Sequence, residues 1–148
     1  MTDQNTGTRP ARAATITWDG GLRFTAEMRG HSVPTDQPVH AGGADSAIMP
    51  LELLAASLGT CVALYAHQFC AARQIPVDGL GVEVSHETAK APKRIGRFDV
   101  VVRLPDGFPD EYRAAAERAV RACPVHNTLS HPPEINIDVQ APAVASAV

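Results

Sequence analysis

The sequence predicts an α+β fold with antiparallel strands. Two pairs of alternating apolar and polar stretches, each pair joined by turn-forming residues, indicate two β-hairpins. Between the hairpins lies a long apolar stretch that begins at Pro50, a residue suited to the first turn of a helix. Strands that occur in hairpins, rather than alternating singly with helices, favour antiparallel pairing and hence the α+β class.

The first hairpin is predicted at the start of the domain. Residues 13–18 and 22–28 flank Asp19-Gly20-Gly21, and the second run alternates apolar and polar side chains. From Gly30 to Met49 the chain is rich in Gly, Pro, Asp and Ser and has no period. We therefore expect an irregular connection with one short strand near residues 31–33.

The long helix is predicted to be the centre of the fold. Apolar residues recur at helical spacing from Leu51 to Phe69, until Ile75-Pro76 ends the pattern. Because so short a chain has little other surface with which to cover a helix that is apolar on most faces, a second subunit is expected to cover it. The sequence therefore predicts a homodimer.

The second half of the chain is predicted to contain another hairpin, two helices and a last strand. The runs 80–88 and 97–104 alternate, and a basic, turn-rich segment at 90–96 joins them. The other expected elements are an exposed helix at 111–122, a short helix at 124–130 and a final strand at 134–139.

We expect one domain over residues 13–140, between a disordered segment at 1–12 and a frayed tail at 141–148. The first dozen residues are polar and do not resemble a secretory signal, which predicts a cytoplasmic protein. The most apolar segment is interrupted by polar residues, so no membrane association is expected. A net charge of −3, scattered basic residues and 5% aromatic residues also argue against nucleic-acid binding.

Three cysteines remain to be explained in a reducing compartment, as packing residues, metal ligands or redox-active thiols. Cys61 lies within the long helix, where a small buried apolar residue is the simplest interpretation. Cys123 precedes Pro124 and is predicted to be a helix N-cap, which favours a thiolate, although it could merely end the preceding helix. Cys70 follows Cys61 by nine positions and is expected on the opposite helix face, as a packing residue or as a spare surface thiol.

Two motifs resemble those of the OsmC/Ohr superfamily. They are P-x-E-L-L-x-A-S-L-G-T-C, which ends at Cys61, and A-C-P-V-H-N-T-L, which contains Cys123. The pattern is nearer to the OsmC-like branch than to the dedicated organic hydroperoxide resistance branch. The resemblance implies an OsmC-like fold, in which an antiparallel sheet packs on a long central helix and two chains form an intertwined homodimer.

The resemblance also implies a reaction. The well-characterised members are thiol peroxidases that reduce organic hydroperoxides, in which Cys61 would be the peroxidatic thiol and Cys123 the resolving thiol. An external dithiol of the lipoyl or thioredoxin type would reset the disulfide. The alternative is a non-catalytic OsmC-like protein that binds an apolar small molecule at the dimer interface.

Peroxidase members use a Glu and an Arg beside the reactive thiol, and Glu52 and Arg23 are the candidates here. The family Glu precedes the first cysteine by ten positions, whereas Glu52 precedes Cys61 by nine and could simply favour the helix dipole. Arg23 alternates with the apolar face of its strand, so a solvated strand residue is the simpler interpretation of it. His126 is a third candidate, because it follows Cys123 closely enough to help hold a thiolate.

We expect no metal and no organic cofactor. The pattern Cys123-x2-His126-x4-His131 lacks the paired close ligands at both ends that are typical of structural zinc sites. Gly42-Gly43 lacks the strand and helix context of a phosphate-binding loop, so nucleotide binding is not predicted.

Overall fold

The computed structural model describes residues 13–141 and confirms the α+β class. It contains a three-stranded sheet, a two-stranded sheet, one long helix and two short ones. The segment 1–12, predicted to be disordered, lies outside the described residues. So does all of the predicted tail except residue 141.

The first sheet contains the predicted hairpin and one further strand. Strand β1 (Thr15–Trp18) pairs antiparallel with β2 (Phe24–Met28), which pairs antiparallel with β3 (His31–Thr35). Arg29 and Gly30 connect β2 to β3 with φ angles of 56° and 80°. Two positive φ angles in a two-residue connection match the twist of antiparallel strands, which is why the chain turns sharply here. The short strand expected near residues 31–33 is thus confirmed.

Helix α1 (Pro50–Ala71) confirms the predicted long helix. Its 22 residues, with a mean hydropathy of 1.4 in its most apolar window, also meet the length and composition of a membrane span, but a core helix passes the same test. Six of its side chains are buried at roughly helical spacing, as in a core helix: Ala55, Leu58, Val62, Ala66, Phe69 and Cys70.

The second sheet pairs β4 (Gly81–Lys90) with β5 (Lys93–Arg103). The predicted connection at 90–96 was too long, because Ala91 and Pro92 alone separate the strands. Most side chains of the basic segment Lys93 to Arg97 are exposed. Polar residues can therefore occupy an exposed strand, and the prediction of a turn here, which relied on composition, was wrong for residues 93–96.

Two helices follow the second sheet, as predicted. Helix α2 (Arg113–Arg121) comes after a single 3-10 turn at Asp110–Tyr112, and α3 (Pro124–Ser130) begins directly after Cys123. Proline fits the first position of α3 because that position has no intrahelical partner for an N–H group.

The predicted final strand at 134–139 was wrong, because this segment pairs with no strand in the described chain. Its apolar side chains are almost fully exposed, at 77% for Ile135, 84% for Ile137 and 88% for Val139. Alternation identifies a segment with one apolar side, but a strand also needs an edge with which to hydrogen-bond. Within the described chain, no strand edge hydrogen-bonds to this segment.

The described chain forms two compact units, and α1, β4 and β5 contribute residues to both. The first unit contains residues 13–57 and 84–100, and therefore the three-stranded sheet. The second contains residues 58–83 and 101–141, and therefore α2 and α3. All three cysteines belong to the second unit, and the single domain over 13–140 stays a prediction.

Candidate active site

Cys123 is the N-cap of α3, as the sequence predicted. Its φ and ψ of −55° and 128° are extended rather than helical, and its carbonyl accepts the first helical hydrogen bond from Asn127 N at 3.0 Å. The side chain is fully buried and makes no capping hydrogen bond to its own helix. The thiol is therefore left to interact with another element of the second unit.

That other element is the middle of α1. The half-buried Cys61 shares a side-chain hydrogen bond with Cys123 and receives one from the backbone N–H of Val125. Both cysteines are free thiols. The family resemblance implies that Cys61 and Cys123 act as a peroxidatic and a resolving thiol, and the structure brings these two residues, far apart in the chain, into contact.

The surroundings of Cys61 favour its protonated form. Burial raises the pKa of the Cys61 thiol most, because a thiolate loses solvation there. The hydrogen bond with Cys123 and the charge that Cys123 can carry raise the pKa further, while the Val125 N–H lowers it without reversing the sign. At neutral pH the resting Cys61 is therefore mainly a thiol.

Cys70 is the third thiol, and its environment is different. It is fully buried, burial raises its pKa, and the nearby Arg73 guanidinium offsets part of this rise. Arg73 lies over the Phe69 ring, 3.7 Å from its centroid. This part of α1 is a packed region, in agreement with the interpretation of Cys70 as a packing residue.

Glu52 is exposed and forms a hydrogen bond at the start of α1. Its Oε2 accepts a hydrogen bond from Met49 N at 2.9 Å, the contact that a glutamate at the third helical position makes to the residue before the helix. Glu52 precedes Cys61 by nine residues, which at about 100° per residue is half a turn around the helix axis. Capping is the function that the contacts of Glu52 directly support.

Arg23 lies at the turn into β2, and its side chain is exposed. Its Nη1 donates to Ser46 Oγ at 3.3 Å. Within residues 13–141 Arg23 forms no ion pair, so its guanidinium is not neutralised by direct contact with a carboxylate there. The structure thus places Arg23 in the first unit with its charge available.

His126 is the third residue of α3 and is half-buried. Its Nε2 lies 3.5 Å from Ser130 Oγ, whereas its Nδ1 is buried and has no partner among the described residues. No three His, Cys, Asp or Glu side chains in that part of the chain are grouped closely enough to hold a metal ion. Cys123, His126 and His131 thus do not form a metal site there.

The sequence analysis did not identify two polar groups that the structure shows to be engaged, the Val125 N–H and the Asp36 carboxylate. The Val125 N–H could have been anticipated, because Pro124 has no N–H group and Val125 is therefore the first free donor of α3. Asp36 could not, because its burial results from closure of a long loop. Its position just after a strand, in a segment rich in Gly and Pro, is only a weak signal for local hydrogen bonding.

Comparison with known proteins identifies the family. The model of the family described as OsmC-like protein matches residues 43–138, which is more than half of the chain. The chain belongs to the OsmC-like protein family. The match includes both cysteine motifs and confirms the resemblance on which the sequence analysis relied. A search of curated proteins found no match.

Solved structures show the same OsmC-like fold. A protein from Psychrobacter arcticus 273-4, named as an osmotic stress induced and detoxification response protein, is 25% identical with a TM-score of 0.72, over 78% of this chain and 85% of that one. An organic hydroperoxide resistance protein OsmC from Legionella pneumophila is 18% identical with a TM-score of 0.58, over 80% and 88%. The organic hydroperoxide resistance protein OhrB of Bacillus subtilis is 19% identical with a TM-score of 0.57, over 81% and 92%.

Proposed function

We propose that this protein is a thiol-dependent peroxidase that reduces organic hydroperoxides, and also accepts hydrogen peroxide, in defence against oxidative stress. The observation that carries the proposal is the contact between Cys61 and Cys123 in the second unit. When two free thiols are in contact, a sulfenic acid formed on one can condense with the other to a disulfide with little movement. The names of two related structures, which refer to organic hydroperoxide resistance, support the same substrate class.

The first half-reaction would take place at Cys61. After loss of its proton, Cys61 Sγ attacks the distal oxygen of the hydroperoxide, forming an S–O bond while the O–O bond breaks. The alkoxide takes up a proton and leaves as the alcohol, and Cys61 becomes a sulfenic acid. The sulfur loses two electrons and the peroxide gains them, so no cofactor is required.

Cys123 would complete the oxidation. Its sulfur attacks Cys61 Sγ, the S–O bond breaks, and the hydroxyl leaves as water with the proton from the Cys123 thiol. The resulting disulfide needs two electrons and two protons to return to the dithiol state. We propose that an external dithiol of the lipoyl or thioredoxin type supplies them by thiol–disulfide exchange.

The reaction displaces an alkoxide, and a nearby positive charge would stabilise the negative charge that develops on its oxygen. We propose Arg23, the cation that the family resemblance implies, as a charge partner of the reaction, and its guanidinium forms no ion pair within residues 13–141. Glu52 and His126 are the other two candidates for charge partners, and Glu52 is already engaged as a helix cap. His126 would act as a hydrogen-bonding group rather than as a metal ligand.

We further propose that the protein is a cytoplasmic homodimer. Several large apolar side chains are exposed in one chain, and they include Trp18 at 65% and Leu64 at 52%. Ile16, which is 60% exposed, lies on the same face of β1 as Trp18, and adjoining exposed apolar side chains of this kind mark an interaction surface. A second copy of the chain would cover it.

The test is consumption of cumene hydroperoxide and of hydrogen peroxide with a dithiol reductant. Wild-type protein is expected to turn over the organic peroxide, Cys61→Ser to be inactive, and Cys70→Ala to keep its activity as a matched control for a buried thiol. Turnover no faster than that of Cys61→Ser, with every dithiol tried, would overturn the peroxidase proposal.

One observation favours a second candidate, a non-catalytic protein that binds an apolar small molecule at the dimer interface. Because the pKa of Cys61 is raised, its thiol is a poor nucleophile at neutral pH in the resting state. The same assay separates the two candidates. Inactivity combined with saturable binding of an apolar fluorescent probe such as ANS, competed by other apolar ligands, would favour the binding protein.

A further inference from the structure

Asp36 is a buried carboxylate that the proposed reaction does not use. Only 2% of the residue is exposed. Its Oδ1 accepts a hydrogen bond from Gln37 N at 2.7 Å. Its Oδ2 accepts from Ala44 N at 3.2 Å, Ser46 N at 3.0 Å and Ser46 Oγ at 2.7 Å. Four donors directed at one carboxylate hold it ionised, and they lower the pKa of Asp36 to about 2.

These bonds close the loop between β3 and α1. Within it Gly43 passes so near to Gln37 that a Cβ atom would collide with the Gln37 carbonyl oxygen, so only glycine fits. Asp45 N also donates to Gln37 O at 3.0 Å. Two sets of contacts therefore fix the position of Ser46. One is the backbone hydrogen bond between the neighbouring Asp45 and Gln37, and the other is the pair of hydrogen bonds from Ser46 to the Asp36 carboxylate.

Ser46 in turn contacts Arg23. A serine hydroxyl has one proton, and Ser46 donates it to Asp36 Oδ2. The lone pairs of Ser46 Oγ are left to accept, and Arg23 Nη1 donates to them at 3.3 Å. The three side chains thus form a chain of hydrogen bonds from a buried negative charge, through one hydroxyl, to an exposed guanidinium.

The backbone of Arg23 is fixed independently of its side chain. Arg23 N donates to Gly20 O at 3.0 Å, and Arg23 O accepts from Asp19 N at 3.0 Å. Arg23 and Ser46 both line an open depression of about 420 Å³ in the first unit, together with Gly20, Gly21 and Gly42. With its backbone fixed, the remaining freedom of Arg23 is in the side chain, which Ser46 restrains.

We propose that Asp36 and Ser46 are positioning residues, which hold the Arg23 guanidinium at the edge of this depression through the Ser46 hydroxyl. The proposal rests on the proposed function, in which Arg23 is a charge partner of the reaction. Asp36 balances the charge of Arg23 without contacting it, so the guanidinium keeps donors free for a substrate oxygen.

Ser46→Ala tests the link selectively. The substitution removes the hydroxyl but keeps the backbone N–H bonds of residues 37, 44 and 46 to Asp36, so the loop should still close. We expect kcat/KM for cumene hydroperoxide to fall about tenfold in the wild-type background and less than about twofold in an Arg23→Ala background, because coupled residues are not additive. Ser46→Thr, which keeps a hydroxyl, should restore most of the activity.

Thr35→Val is the matched control. It removes a hydroxyl hydrogen bond from Thr35 Oγ1 to Phe24 O, at 3.2 Å in the same unit, and the hydroxyl it removes bonds neither Arg23 nor Asp36. Its kcat/KM should stay within about twofold of wild type. The positioning role would be overturned if Ser46→Ala lowered kcat/KM equally in the wild-type and Arg23→Ala backgrounds. It would also be overturned if Thr35→Val lowered kcat/KM as much as Ser46→Ala does.

A second measurement does not depend on catalysis. The NMR order parameter of the Arg23 Nε–H bond should fall in Ser46→Ala and remain unchanged in Thr35→Val. If wild type is inactive but this order parameter falls, the proposed function has failed and the positioning of Arg23 stands. If wild type is active but neither kcat/KM nor the order parameter responds to Ser46→Ala, the positioning inference alone has failed.

Discussion

The protonation state of Cys61 gives the sharpest prediction from the structure. Burial is the largest of the influences that raise its pKa, and the Val125 N–H is the one that lowers it. Because alkylating reagents react with the thiolate, the alkylation rate should increase about tenfold per pH unit while the pH is below the pKa. Between pH 6 and pH 8 the rate for Cys61 should therefore increase roughly a hundredfold.

Cys123 provides an internal test of the same reasoning. Its hydrogen bond, and the negative charge that it would carry if ionised, both raise the pKa of Cys61, so Cys123→Ala should lower that pKa and increase alkylation of Cys61 at pH 7. Cys70→Ala should have no such effect, because Cys70 is absent from the groups that perturb Cys61.

The assay is iodoacetamide labelling of the folded, reduced protein, with the modified peptides quantified by mass spectrometry at a series of pH values. A rate for Cys61 that is constant from pH 6 to pH 8 would refute the reasoning. Such a result would mean that a positive charge not counted among the groups around Cys61 already holds it as a thiolate.

Two further predictions concern the whole chain. The folded pKa of Asp36, about 2, lies below its ordinary value, so its contribution to stability is present above pH about 4 and is lost as the pH falls towards 2. The midpoint of thermal unfolding should therefore fall more steeply below pH about 4 in wild type than in Asp36→Asn, and parallel pH profiles would contradict this assignment. Sedimentation equilibrium at micromolar concentration should give twice the mass of one chain, whereas a stable folded monomer would contradict the homodimer.

Elements with a strong local signal could be predicted from the sequence. The periodicity from Leu51 to Phe69 predicted α1, and Pro124 predicted both the start of α3 and the N-cap position of Cys123. Each of these depends on residues within a few turns of one another. Proline at the first helical position and apolar residues at helical spacing act locally, so tertiary structure has little opportunity to override them.

The features that were missed depend on distant partners. Residues 134–139 have the alternation of a strand, but a strand exists only where another edge accepts its hydrogen bonds. Asp36 is buried because residues 44 and 46 return to it across a loop, and no periodic pattern records that closure. A sequence shows which groups could bond, whereas the fold decides which of them meet.

The proximity of Cys61 and Cys123 follows from the geometry of the second motif. Pro124 occupies the first position of α3 and has no N–H group, so Val125 carries the first free donor of the helix. A serine or aspartate at the N-cap would satisfy such donors, but the Cys123 side chain makes no capping hydrogen bond. Cys61 Sγ accepts the Val125 N–H instead, so that the middle of α1 caps α3. Cys123, as the N-cap residue, lies beside the Val125 N–H that its own side chain does not bind. Because Cys61 Sγ accepts that N–H, Cys61 also lies beside Cys123.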